Sequence, residues 1–277
     1  WEPIHGLSVV GRYGNIYTNN EYYDKNALST YASGNPLSLE GYYGNGQGNT
    51  WEKTAEFLTS YTKEISVITA KLSFGGTHYR RESSSISGSF QGLKYADLYN
   101  LNNRTTYISI GNGISKMEMN SLYGFMNLDY MGKVYLDITA RNDWASTLHP
   151  SVNSFFYPSF ALSGIMTELF DLPEAIEFWK IRGSWAQVGN AISEPYFTSP
   201  EKFYWALNSK TGMPYSAPTD ILTDPLLKPE LTAGTEIGTD MRLFKGRLGF
   251  DIAAYKKVTT KQILKKSVTH NSFLYTS

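Results

Sequence analysis

Four histidines, His5, His78, His149 and His270, are the residues of this sequence best suited to bind a metal or move a proton. None has a second ligand at i+2 to i+4, so their spacing defines no metal site and predicts exposed loop histidines. The chain has no cysteine, which removes thiolate zinc sites, disulfides and cysteine nucleophiles together. Gly44, Gly46 and Gly48 have the look of a phosphate loop. No amphipathic helix or Lys-Ser/Thr pair follows them, and they read as a loop. No Gly-x-Ser-x-Gly elbow occurs. Asp137, Arg141 and Asp143 share one face of an alternating segment and could form an acid/base cluster; they read better as polar residues paired with neighbouring strands. No catalytic residue, metal ligand or cofactor-binding residue is therefore assigned. Aromatic residues offer the remaining chemistry. Tyr130, Tyr135, Trp144, Trp179 and Trp185 fall near strand ends, where rings stack on sugars or anchor a barrel at a lipid–water boundary. Trp144, with Tyr204, Trp205 and Tyr215 in a long polar segment, are the candidate ligand contacts.

The elements that carry these residues are strands. From Leu122 to Tyr130, Leu122, Gly124, Met126, Leu128 and Tyr130 alternate with Tyr123, Phe125, Asn127 and Asp129. After Met131-Gly132 the alternation resumes, with Val134, Leu136, Ile138 and Ala140 opposite Tyr135, Asp137, Thr139, Arg141 and Asp143. Period two on both sides of a glycine-containing turn predicts a β-hairpin. The arm 133–143 would reach ~36 Å at about 3.3 Å per residue, enough when tilted to cross an apolar band of about 25 Å. The pattern recurs over 236–255 around Lys245-Gly246. Further strands are expected at 4–16, 51–62, 65–79, 157–165 and 178–188, about ten in all. A helical interruption is expected at 167–177, with Thr167, Glu168 and Asp171 as caps. Segments 17–50, 144–156 and 189–231 read as long loops opposite the tight turns.

Composition sets the class. Charged residues make up 18% of the 277, against about 25% in soluble domains. Lys+Arg and Asp+Glu are equal at 25 each, which argues against a nucleic-acid binder. No run of about 20 apolar residues is present to form a membrane helix, and the opening Trp1-Glu2-Pro3-Ile4-His5 lacks the basic start and apolar run of a signal peptide. Tight turns at one end and long loops at the other describe a membrane β-barrel; a soluble sandwich spreads its loops over both ends. A passive porin and a soluble all-β carbohydrate-binding module remain alternatives on these grounds.

The segment Val134-Tyr135-Leu136-Asp137-Ile138-Thr139-Ala140-Arg141-Asn142-Asp143-Trp144-Ala145-Ser146-Thr147-Leu148 resembles a signature of the SusC/RagA-type TonB-dependent outer-membrane transporters of Bacteroidetes. Four further blocks follow in that family's order. They are Phe155 to Ser159 with Leu162 to Ile165, Lys180 to Trp185 with Val188-Gly189-Asn190, Leu227 to Glu230, and Glu236 to Asp240 with Leu243 to Lys245 and Ala254 to Lys256. Trp185-Ala186 stands where the family more often has Tyr-Gly, and Ala233-Gly234-Thr235 where a Trp is common. The matches cover about residues 120–260; the first hundred match in strand alternation alone.

The resemblance implies an all-β chain: an antiparallel transmembrane barrel, here a fragment of about ten strands out of roughly 22 around a plug. Residues 1–277 would all belong to the barrel domain, with the plug and remaining strands elsewhere, since an open sheet in a bilayer leaves backbone groups unpaired. It further implies TonB-dependent import of oligosaccharides, or in some members oligopeptides. The partners would be a SusD-like surface lipoprotein, the TonB-ExbB-ExbD motor acting through the plug, and outer-membrane lipid, in a Gram-negative outer membrane. The loops 17–50 and 189–231 are the expected contacts with lipoprotein and ligand, and deletion of 196–220 is the expected test.

Overall fold

The computed structural model of the chain describes residues 4–28, 40–190, 203–207, 213–218 and 227–262. The first strands are β1 (Leu7–Asn26), β2 (Tyr42–Ile65), β3 (Ile68–Gln91) and β4 (Ser109–Tyr130). They continue through β5 (Val134–Ala145), β6 (Ser154–Ile165) and, after the one-turn α1 (Met166–Leu169), β7 (Ile176–Asn190). The last four are β8 (Phe203–Leu207), β9 (Pro214–Pro218), β10 (Glu230–Leu243) and β11 (Leu248–Thr260). Nine form one antiparallel sheet in the order β1-β2-β3-β4-β5-β6-β7-β10-β11, and β8 pairs with β9 alone.

Three hairpin turns lie at one end of the sheet, and their chemistry explains their tightness. Two residues, Ser66 and Val67, join β2 to β3. Between β4 and β5, Met131 and Gly132 both take positive φ, and Lys133 N–H donates to the Tyr130 carbonyl at 2.9 Å. Two left-handed central residues match the right-handed twist of the flanking strands. The Asp129 carboxylate accepts from Gly132 N–H at 2.7 Å and closes that turn from the side. Phe244, Lys245 and Gly246, all at positive φ, turn β10 into β11. Helix α1 sits at this same end: Ile165 N–H, just before it, donates to the carbonyl of Lys133 in the β4–β5 turn. The helix is four residues long and has no side-chain cap, so Thr167, Glu168 and Asp171 do not perform the capping expected of them.

Register divides the sheet into two faces. Phe74, Gly124, Ala140 and Pro158 are on one face, and Gly75, Tyr123, Arg141 and Tyr157 on the other, each set aligned across β3 to β6. Over the turn-proximal half the first face is apolar: Ile68, Ala70, Leu72 and Phe74 on β3, Tyr130 to Leu122 in steps of two on β4, Val134 to Ala140 on β5. Leu162 and Phe160 on β6, Ile237 on β10 and Ile252 and Phe250 on β11 extend it. Leu72 is 53% exposed, Ile237 63% and Ile252 61%. A continuous apolar surface of this extent is not one that a protein leaves in water. Among the described residues the buried apolar clusters are correspondingly small: Ala145, Leu148, Phe155 and Tyr157 at the β5–β6 loop, and Tyr43, Phe90 and Leu93 near the far ends of β2 and β3.

Strand length departs most from the sequence expectation. β2 and β3 have 24 residues each, β4 22 and β1 20. Residues 17–26 and 42–50, expected as loop, are paired strand from Tyr17↔Trp51 to Asn26↔Tyr42. Residues 80–91 and 109–121 likewise extend β3 and β4. A ladder is held by backbone hydrogen bonds, which do not require apolar side chains, so Gly- and Asn-rich sequence pairs as well here as the alternating half. Residues 144–145, 154–156, 189–190 and 230–231 are also strand, and β8 and β9 lie inside the expected loop 189–231.

Candidate functional site

The polar face of the sheet carries a chain of ionic and hydrogen-bonded groups running across four strands. Arg12 on β1 donates to the Glu56 carboxylate on β2 at 3.1 Å. The other oxygen of Glu56 accepts from the Tyr123 hydroxyl at 2.7 Å. Tyr123 is on β4, two strands away, and reaches Glu56 because the position between them is Gly75. A Cβ at residue 75 would stand 2.5 Å from the Tyr123 ring. The Arg141 guanidinium lies 5.7 Å from the same ring, within cation–π range. Its Nε donates to Asp143 at 2.7 Å and its Nη2 to the Ser121 hydroxyl at 3.0 Å. Arg141 and Asp143 thus pair with each other along β5, whereas the expected pairing with a neighbouring strand is made by Arg141 to Ser121 and by Asp137, which accepts from the Asn127 amide on β4.

A second bridge repeats the device at the other end of the sheet. Arg182 on β7 donates to Asp251 on β11 at 2.8 Å and lies 3.7 Å from Glu236 on β10. Its guanidinium passes over Gly238 of β10, where a Cβ would fall 2.8 Å from Nε. Above the first chain the β5–β6 loop folds onto this polar face, burying Leu148 against Phe155 and Tyr157 with Leu227 and Leu231 beside them.

The aromatic residues singled out in the sequence divide between the faces. Tyr130 and Trp179 hold the turn-proximal rim of the apolar face, where Trp179 Nε1 donates to Thr239 at 2.9 Å. Trp144, next to Asn120 and Ser154 in register, holds the opposite rim of that face. Two depart from the strand-end reading. Trp185 stacks on Phe160 in the middle of the apolar face, ring centroids 6.0 Å apart. Tyr135 is on the polar face, its hydroxyl donating to the Gly132 carbonyl at 2.9 Å. Tyr204 and Trp205 are in β8 and Tyr215 in β9, paired as Tyr204↔Ala217, Trp205↔Ser216 and Ala206↔Tyr215. Tyr204 and Tyr215 thus share one face of that hairpin by register and Trp205 occupies the other. The structure does not bring Trp144 into register with them. Most of the proposed deletion 196–220 lies outside the described residues.

Histidine chemistry is used locally. His78 Nδ1 is 2.7 Å from the Asn120 side chain, and His149 Nδ1 2.8 Å from the Ser151 hydroxyl. His270 lies outside the described residues. Among the described residues no three His, Asp or Glu side chains are grouped to hold a metal ion, and no helix is long and apolar enough to cross a membrane. Sequence reasoning missed Glu56, Arg12 and the β7–β11 bridge. Their signal, a long side chain facing a glycine on the adjacent strand, exists only once register is known.

An antiparallel sheet with an apolar outside, an ion-paired inside and tight turns at one end has the build of a membrane β-barrel wall. The sequence matches the family described as TonB dependent receptor-like, beta-barrel over residues 1–276, and the chain belongs to that family. It is similar to a TonB-dependent receptor P3 of Formosa agariphila, with 26% identity over 230 residues, covering 78% of this chain and 22% of that protein. Among solved structures the fold is similar to that of the RagAB peptide transporter, with TM-score 0.81 and 16% identity over 98% of this chain and 30% of that one. The RagAB peptide importer in its open-open state matches with TM-score 0.79 and 17% identity over the same shares. The chain thus spans less than a third of each protein it resembles. The nine strands are consistent with part of a wall, in which β1 and β11 are edges that further strands would pair.

Proposed function

We propose that the chain, residues 1–277, is part of the barrel wall of a TonB-dependent importer of the Gram-negative outer membrane, working with a SusD-like surface lipoprotein and the TonB-ExbB-ExbD motor. The observation that carries the reading is the two-faced register: an uncovered apolar face suited to lipid, backed by a braced polar face suited to a lumen. Family membership supports the energy coupling. Oligosaccharides are the substrate class proposed first. Tyr and Asn are concentrated in the far half of the sheet and Tyr204, Trp205 and Tyr215 in the segment carrying β8 and β9. Trp144, Tyr204, Trp205 and Tyr215 are proposed as ligand contacts. Trp144, on the outer rim, is the weakest of the four. Oligopeptides are the second reading, favoured by the similarity to transporters described as peptide importers.

The test uses the full-length gene. Deleting it should abolish uptake of labelled oligosaccharide, and discharging the proton-motive force should have the same effect in cells that retain it. Loss of peptide uptake alone would replace the first substrate class with the second. Uptake that survives discharge would overturn energy-coupled import and leave a passive pore.

A further inference from the structure

The apolar face ends along a sharp line, and just beyond it lies a cationic groove that neither the barrel wall nor import requires. On β3 the continuous apolar run ends at Phe74 and Gly76, followed on the same face by His78, Arg80 and Glu82. On β4, Leu122 gives way to Asn120, Glu118 and Lys116. On β2, Phe57 gives way to Ala55, Lys53 and Trp51. Register aligns these changes, with Phe57 opposite Gly76 and Gly76 opposite Leu122, then Lys53 opposite Arg80 and Arg80 opposite Glu118. From Ile68 to His78 the face runs ~33 Å along the strand, or ~25 Å in height at a tilt of about 40°, the thickness of a barrel's apolar band. His78, Arg80 and Lys53 thus begin where lipid headgroups begin.

The groove has a volume of roughly 330 Å³ and is lined by Tyr13, Lys53, Ala55, His78, Arg80 and Glu82. Arg80 is fixed rather than free: Glu82 accepts from its guanidinium, and Glu118 lies 3.3 Å from Nη1. Lys116 also engages Glu82, at 3.4 Å. Lys53 has no carboxylate partner among the described residues; its Nζ lies 5.8 Å from the Trp51 ring, which itself packs on Tyr17 with centroids 4.5 Å apart. His78 turns Nδ1 to Asn120, which leaves Nε2 for a ligand. Three cations and a histidine against two carboxylates leave an excess of positive charge. Directly below, on the band side, Phe57 and Phe74 expose rings with centroids 5.9 Å apart. A fixed cationic pocket over an exposed aromatic pair suits an amphiphile: phosphate above, acyl chain below. A free phosphate would have no use for the rings, and Tyr13, of a residue type that favours the lipid–water boundary, lines the groove.

We propose that this groove is a binding site for the phosphate headgroup of an outer-leaflet lipid, held by Lys53, Arg80 and His78 with its chain against Phe57 and Phe74. The inference rests on the reading of the apolar face as lipid-facing. Full-length transporter purified from outer membranes in mild detergent would be compared with Lys53→Gln and with the double variant Lys53→Gln/Arg80→Gln. Native mass spectrometry would count bound phospholipid and lipopolysaccharide. Lys53 is exposed and makes no ion pair here, so its variant keeps a folded reference. Lys133→Gln, in the turn at the opposite rim, serves as control.

The expected result is phosphate-bearing lipid on the wild type and the Lys133 variant, with retention about tenfold lower in the double variant. Equal retention in all four proteins would overturn the site. Retention that competes away with inorganic phosphate, or bound phosphate without a chain, would overturn the lipid and leave an anion site. A protein soluble without detergent would instead overturn the lipid-facing reading, which separates the two failures.

Discussion

β1 to β4 and β5 to β11 belong to one sheet but are built to different rules. The main-sheet strands β5, β6, β7, β10 and β11 have 12 to 15 residues, close to the 9–11 or so that a tilted strand needs to cross a bilayer. β1 to β4 have 20 to 24, and their far halves continue ~43–50 Å along the strand beyond the last row of the apolar run. Below that row the outer face is a continuous apolar surface. Above it the outer face is mixed, with Lys53, Arg80, Glu82 and Lys116 among Ser, Asn and Tyr and single apolar residues such as Ile86 and Ile114, and among the described residues packing is confined to a patch where the 92–108 connection lays Leu93 over Tyr43 and Phe90. Strand length therefore does not set the depth at which this wall sits. The position of the apolar rows does, and strand length sets only how far the wall projects past them.

The largest test of that difference is an arginine on each half. Leu136→Arg, near the middle of the apolar rows, should destabilise the barrel by about 2–4 kcal/mol if that face meets lipid, read as lost heat-modifiable migration of the full-length protein. Ile114→Arg, on the same face of β4 but in the projecting half and 72% exposed, should change it by about 0.5 kcal/mol or less. Equal effects would erase the distinction. Asn103 sharpens it from the other side. This buried side chain accepts from Tyr95 N–H at 2.9 Å and donates to the carbonyls of Tyr95 and Leu98 at 2.8 and 2.6 Å. Asn103→Ala should cost about 1–3 kcal/mol locally, seen as protease cleavage within 94–104 while the apolar half stays protected.

Glycines provide a subtler contrast. Gly75→Ala pushes on the Tyr123 ring and on the Phe57 carbonyl 2.7 Å from the new methyl, for an overpacking cost of about 1–3 kcal/mol. Gly48→Ala in the projecting half meets only a carbonyl at 3.9 Å and should be neutral or slightly stabilising in thermal unfolding. Arg182→Gln is a small loss too. Its partners are largely exposed, so the loss should be about 0.2–1 kcal/mol, with the β10–β11 amides the first to exchange faster.

The same division explains what the sequence disclosed. Hairpins 122–143 and 236–255 are legible because one face needs apolar residues at every second position, and that constraint writes period two into the chain. The stretch Gly44-Asn45-Gly46-Gln47-Gly48 lies beyond the apolar rows, so nothing enforces a period and it reads as loop. α1 is legible in place but not in extent, because a single turn between two strands needs no caps. The shared face of Asp137, Arg141 and Asp143 is local information and was available. That Tyr123 crosses a neighbouring strand to meet Glu56 was not, because it depends on which residues of β2 and β3 stand opposite one another. Trp144 shows the limit from the other direction. Its position at a strand end is plain in the sequence, but the face it occupies follows from register alone.

Gly75 and Gly238 have a mechanical consequence. An ordinary sheet is a set of adjacent pairs, and a strand that slips by two residues breaks only the two ladders it belongs to. Where a tyrosine or an arginine spans a glycine, each strand is also tied to the one beyond its neighbour, as a diagonal ties the frame of a truss. Slippage of β3 would have to dislodge Tyr123 from Glu56, and slippage of β10 would carry Gly238 out from beneath Arg182. Such a wall resists shear along its strands while remaining free to flex across them.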